Sequence, residues 1–123
     1  MPERLQAILG KDPRYAIEAY VFVFEALPVA QELAGVERHV TGRQLLDGIL
    51  ELARRRYGRL AKAVFTSWGV KTTDDFGAVV FNLVDAGLMS KTEDDTIEEF
   101  RAVYSFDQEL VERYRIAHGE NDR

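Results

Sequence analysis

Apolar residues recur at helical spacing along most of the chain, and the breaks between them fall at proline, glycine and capping residues. Leu5, Ile8 and Leu9 mark one side of a short helix from Pro2 to Leu9, ended by Gly10. Its proline takes the first position, where the missing N–H is harmless. Asp12-Pro13 has the form of a second start, an N-cap carboxylate followed by proline, and predicts a helix from Pro13 to about Leu33 that stops at Gly35. That segment is apolar nearly all round (Tyr15, Ile17, Tyr20, Val21, Phe22, Val23, Phe24, Leu27), the pattern of a helix surrounded by protein. The run from Tyr20 to Phe24 also has strand propensity, which leaves a strand as the alternative. Pro28 cannot donate a backbone bond and is expected to kink or divide the helix.

Thr41-Gly42-Arg43-Gln44 reads as a capping box, with Val40 and Leu45 spaced as its hydrophobic staple. The helix it opens, Gly42 to Tyr57, places Leu45, Leu46, Ile49, Leu50, Ala53 and Tyr57 inward and breaks at Gly58. A shorter helix from Arg59 to Trp68 follows, with Leu60, Val64, Phe65 and Trp68 inward, ended by Gly69. Thr72 or Thr73 caps the next, Asp74 and Asp75 sit in its first turn where the helix dipole favours them, and Gly87 stops it. Phe76, Val79, Val80, Leu83 and Val84 form its apolar stripe. Residues 88–92 and 96–100, around an acidic turn at 93–95, have the form of a hairpin. A last helix begins near Ser105, with Gln108 completing a second capping box, and runs to Gly119.

This order predicts a mainly α single domain over residues 1–123: N-terminal helices in 1–35, a winged-helix-like three-helix core with a short β-hairpin in 41–104, and a C-terminal helix in 105–119. Replacing the hairpin by a loop and a short helix gives the competing architecture, an all-α bundle.

Composition fits such a domain. Hydrophobic residues make up 46% and charged residues 30%, and a chain of 123 residues needs neither disulfide nor metal to fold. The lack of cysteine excludes thiol catalysis, a disulfide framework and cysteine-ligated zinc. Met1-Pro2-Glu3-Arg4 lacks the order of a signal peptide, and the most apolar stretch, from Tyr15 to Ala30, is interrupted by Glu18, Glu25 and Pro28. The expectation is a cytoplasmic protein with no membrane partner.

Charge changes the picture more. The net value of −5 hides eight bases against two acids in residues 38–71, and eleven acids against two bases in residues 72–112. A split of +6 and −9 either steers a partner of opposite sign or is satisfied within the molecule by packing the halves together.

Catalytic chemistry is poorly supplied. His39 and His118 are the two histidines, and neither stands in a defensible Ser/His/acid spacing or a zinc-ligand spacing. Gly69-Val70-Lys71-Thr72-Thr73 lacks the earlier glycine of a phosphate loop, and Asp74 and Asp75 would repel the anion. The acidic run from Glu93 to Glu99 lacks the alternation and central glycine of a calcium loop, so it reads as a solvated turn. No catalytic residue, metal ligand or cofactor is assigned.

A winged-helix reader of DNA needs cations on its third helix, and Thr73 to Gly87 has no Arg or Lys; its outward positions are Asp74, Ala78, Phe81, Asn82 and Asp85. A nucleic-acid surface would instead use Arg43, Arg54, Arg55, Arg59 and Lys62, although Glu51 and Arg55 are spaced to pair with each other. Phe81 falls off the apolar stripe toward Asp85, with Ala78 beside it. Either the apolar second helix covers it, or it anchors a partner helix or a second copy of the chain.

The segments His39-Val40-Thr41-Gly42-Arg43-Gln44-Leu45-Leu46, Thr73-Asp74-Asp75-Phe76-Gly77 and Phe81-Asn82-Leu83-Val84-Asp85-Ala86-Gly87-Leu88, continuing through Lys91-Thr92-Glu93-Asp94-Asp95, resemble a family of short bacterial proteins with no assigned activity. The resemblance implies a small bacterial cytoplasmic protein and no particular chemistry. The functional expectation is a non-catalytic protein-interaction or adaptor domain that can self-associate. A nucleic-acid binder working through residues 42–68 is the first alternative, and a metal-dependent enzyme using residues 93–99 the second.

Overall fold

The computed structural model describes residues 2–93 and 95–112. Among the described residues five α-helices carry the fold: α1 Pro2–Lys11, α2 Ile17–Ala34, α3 Gly42–Tyr57, α4 Ala61–Ser67 and α5 Thr73–Asp85. Two 3-10 turns, Gly58–Leu60 and Ile97–Phe100, and a π-helical turn, Asp107–Glu112, complete it. The described residues contain no strand. The fold is the all-α alternative; the winged-helix-like core and its hairpin are not formed.

α2 buries Ala19, Tyr20, Phe22, Val23, Ala26 and Ala30 on one broad face and leaves Glu18, Val21, Glu25 and Pro28 exposed, so it is not enclosed all round as its apolar composition predicts. The stretch with strand propensity is helical because the packing of that one face against α3 and α5 outweighs the preference of a short β-branched and aromatic run. α2 runs unbroken past Pro28, which lies on its exposed side. Gly35 ends the helix in the left-handed conformation at φ 69°, as a C-terminal glycine does.

α3 crosses α2 at very close range. A Cβ built on Gly48 would lie 2.6 Å from the Cβ of Ala30 and 2.7 Å from its backbone, so only two small residues permit the approach. The capping box at the start of α3 forms as the sequence predicts, with the Gln44 N–H donating to Thr41 Oγ1 at 3.1 Å and the Thr41 N–H donating to Gln44 Oε1 at 2.8 Å. Below the crossing, Phe22, Phe65, Trp68, Phe76 and Phe106 form one aromatic core, Phe65 standing edge-on to Phe76 at 5.0 Å.

Four local expectations are corrected. Gly10 lies inside α1 and does not end it. Asp12-Pro13 does not open α2; the Asp12 carboxylate bonds the Arg14 backbone and guanidinium, which closes a turn, and α2 starts at Ile17. Leu60 is 62% exposed because the 3-10 turn at Gly58–Leu60 shifts the helical register before α4. Residues 96–100 turn into a helix because Thr96 and Glu99 make a capping interaction, the Thr96 N–H donating to the Glu99 carboxylate at 3.2 Å. At the C-terminal end Ser105 does act as a cap, receiving the Gln108 N–H at 3.4 Å. The expected run to Gly119, with His118, lies beyond residue 112 and outside the described residues.

The segment after the second 3-10 turn is tied down residue by residue. The Ala102 N–H donates to Asp74 (2.8 Å), the Val103 N–H to Thr73 Oγ1 (3.0 Å) and the Tyr104 hydroxyl to the Leu46 carbonyl (2.8 Å). No helix among the described residues is long and apolar enough to cross a membrane.

Candidate functional site

The C-terminal half of α5 leaves part of its apolar stripe without a full cover. Val80 is buried, but Phe81 and Val84 are only half-buried. Beyond α5 the chain folds back at Gly87, where the Leu88 and Met89 N–H groups both donate to the Leu83 carbonyl, at 2.9 and 3.3 Å. This places Leu88 and Met89 beside Phe81 instead of in a strand. α2 supplies Phe24 and Leu27 from the other side, and the residues entering α3 supply Val40 and Leu45. The result is a cleft of ≈460 Å³ with a mostly apolar floor, within the size range of ordinary small-molecule pockets.

Phe100 closes one end. It is buried, stands edge-on to Phe81 at 6.4 Å, and fits between Gly42 and Gly77, where a Cβ would lie within 2.8 and 2.7 Å of it. Two helices without side chains at the contact therefore make the slot for one ring.

The mouth is polar: Arg38, His39, Ser90, Lys91, Asp95 and Glu99. His39 Nε2 lies 2.8 Å from the Asp95 carboxylate, which also accepts the Thr92 N–H at 2.8 Å and the Thr92 hydroxyl at 3.2 Å. Burial pushes the Asp95 carboxyl up, but the Thr92 N–H and the His39 contact outweigh it and hold it below the usual carboxylate range. Glu99 is engaged by the Thr96 N–H. Among the described residues the two cations have no such partner: Lys91 reaches only the Thr92 carbonyl at 3.3 Å, and Arg38 makes no ion pair.

The structure separates the residues that the sequence groups as a partner surface. Phe81 lines the cleft, Ala78 is half-buried outside its lining, and Asp85 is exposed on a second cavity of ≈360 Å³ with Arg4, Lys11 and Asn82. Asn82 is not outward: its amide donates to Asp12 (2.9 Å) and to the Tyr20 hydroxyl (3.1 Å), tying α5 to the α1–α2 turn.

The basic set lies along α3 and α4 and is largely engaged by carboxylates. Arg43 pairs with Asp47 at 3.4 Å and Arg55 with Glu51 at 2.8 Å along α3, while Arg54 reaches Glu109 at 3.0 Å and Lys62 meets Asp107. The last two join the basic and acidic halves of the chain. Arg59 is exposed in the Gly58–Leu60 turn. In the acidic run, Asp95 and Glu99 serve the contacts above and Glu98 pairs with Arg101 at 3.1 Å. No group of three His, Asp or Glu side chains suited to a metal ion occurs among the described residues.

Arg38, His39, Lys91 and Phe100 escape sequence reasoning because nothing local marks them; their relation to Phe81 exists only in the folded chain. Comparison with protein-family models, curated proteins and solved structures finds no match.

Proposed function

We propose that this protein is a non-catalytic, cytoplasmic interaction domain that receives an apolar segment of a protein partner in the cleft around Phe81. The observation that carries the reading is the half-buried apolar floor made by Phe24, Leu27, Phe81, Val84, Leu88 and Met89, a concave patch with a polar rim. Such an arrangement is the anatomy of a docking site for one or two anchor side chains. The nucleic-acid alternative draws less support. Phosphates would have to displace the carboxylates already paired with Arg43, Arg54, Arg55 and Lys62.

The test compares capture of bacterial lysate proteins by immobilised wild type, Phe81→Glu and Met89→Glu, with circular dichroism to confirm that both variants fold. Light scattering at low and high salt is run beside it. A protein band or a dimer lost in both variants supports the reading. A strict monomer whose captured proteins are unchanged by either variant contradicts it.

A further inference from the structure

We infer that the cleft selects an acidic partner segment: apolar anchors that fill the floor beside Phe81, flanked by carboxylates that meet Arg38 and Lys91. The inference rests on the docking reading above and adds the chemistry of the partner.

Four ionisable side chains besides His39 line the mouth: Arg38, Lys91, Asp95 and Glu99. The two acids are engaged locally, Asp95 by Thr92 and His39 and Glu99 by the Thr96 N–H. Among the described residues the two bases are not: Arg38 makes no ion pair, and Lys91 bonds only to a carbonyl. His39 Nε2, 2.8 Å from the Asp95 carboxylate, is a further local contact of that acid.

The bases of α3 and α4 make a contrast. The chain as a whole carries −5, so its long-range field favours cations. Along α3 and α4 cations are accommodated by carboxylates, with Arg54 held by Glu109 and Arg55 by Glu51. Arg38 and Lys91 depart from that pattern beside the apolar cleft. Cations without an ion pair among the described residues, next to an apolar floor, fit a segment that presents both leucine-like anchors and carboxylates. The loop carrying Arg38 is held in place, because the Gln31 side chain donates to the Arg38 carbonyl at 2.7 Å. The cation is thus on a fixed backbone.

The test is fluorescence anisotropy of the full chain with two labelled amphipathic peptides, one of leucine and glutamate and one of leucine and lysine, with decanoate as competitor. The leucine–glutamate peptide is expected to bind more tightly, and Arg38→Glu or Lys91→Glu to weaken it by about fivefold each. Both substitutions are at exposed positions, so the fold is retained. Either reversal should improve binding of the leucine–lysine peptide. Tighter binding of the leucine–lysine peptide to wild type overturns the acidic preference and leaves the docking reading standing. Failure of both peptides overturns both. Saturable binding of decanoate that displaces the peptide at equal concentration makes the site one for small amphiphiles and overturns the inference as well.

Discussion

A Cβ on Gly77 would stand 2.7 Å from the Cβ of Phe100, so the bare α5 backbone at that position is what lets the Phe100 ring close the end of the cleft. Adding a methyl there forces the 3-10 turn Ile97–Phe100 away from α5. Gly77→Ala is expected to lower stability by about 1–3 kcal/mol, as overpacking of a tight contact does. Urea unfolding measures it, and an unchanged midpoint would show that the ring is not wedged.

The crossing of α2 and α3 allows a paired comparison. Gly48→Ala places a methyl 2.6 Å from Ala30 and should destabilise by about 1–3 kcal/mol, because the neighbouring atoms include backbone that cannot move aside. Gly10→Ala meets nothing within 4 Å inside α1 and should stabilise by up to about 1 kcal/mol through helix propensity. Thermal melts of the two variants should move in opposite directions.

Thr73 is fully buried, and its hydroxyl oxygen accepts the Val103 N–H. Thr73→Val keeps the shape and strands that donor, at a cost of about 1–3 kcal/mol. Hydrogen exchange at Val103 should accelerate in the variant more than exchange at core amides of α3. Equal acceleration everywhere would mean that the bond does not hold the segment in place.

Asp12 yields a pH dependence with a definite sign. Its carboxylate accepts Arg14 Nε and Nη2, both at 2.8 Å, and Asn82 at 2.9 Å. The Arg14 guanidinium, opposed by burial and assisted by Asn82, holds the carboxyl well below the usual range. A value depressed in the folded state gives stabilisation that is complete above the unfolded value of about 4 and is lost as pH falls toward the folded one. Asp12→Asn should therefore be less stable than wild type at neutral pH, with the gap narrowing below about pH 4. Denaturant midpoints across that range check it; a constant gap would contradict it.

What the sequence makes legible is what adjacent residues decide among themselves. The Thr41–Gln44 box, the Ser105 cap and the stop at Gly35 depend on groups a few positions apart, and each forms. The same spacing at Thr96 and Glu99 is the local signal against a hairpin, and it outweighs the apolar residues around it. Asp12-Pro13 misleads because one carboxylate serves either a helix start or a turn, and the guanidinium two residues on decides for the turn. The cleft is another matter. Phe24, Arg38, Phe81, Lys91 and Phe100 come from separate segments of the chain, and their meeting depends on the close α2–α3 crossing and the slot between Gly42 and Gly77. Only the off-stripe position of Phe81 hints at it.

The most direct test of the docking account is amide chemical-shift mapping of the isotope-labelled protein titrated with the leucine–glutamate peptide. Saturable shifts confined to Arg38, Val80, Phe81, Val84, Leu88 and Lys91, with the Arg54 and Lys62 amides unmoved, are the predicted result. Shifts centred on α3 and α4, or none at concentrations that saturate anisotropy, would place the binding surface elsewhere and contradict the account.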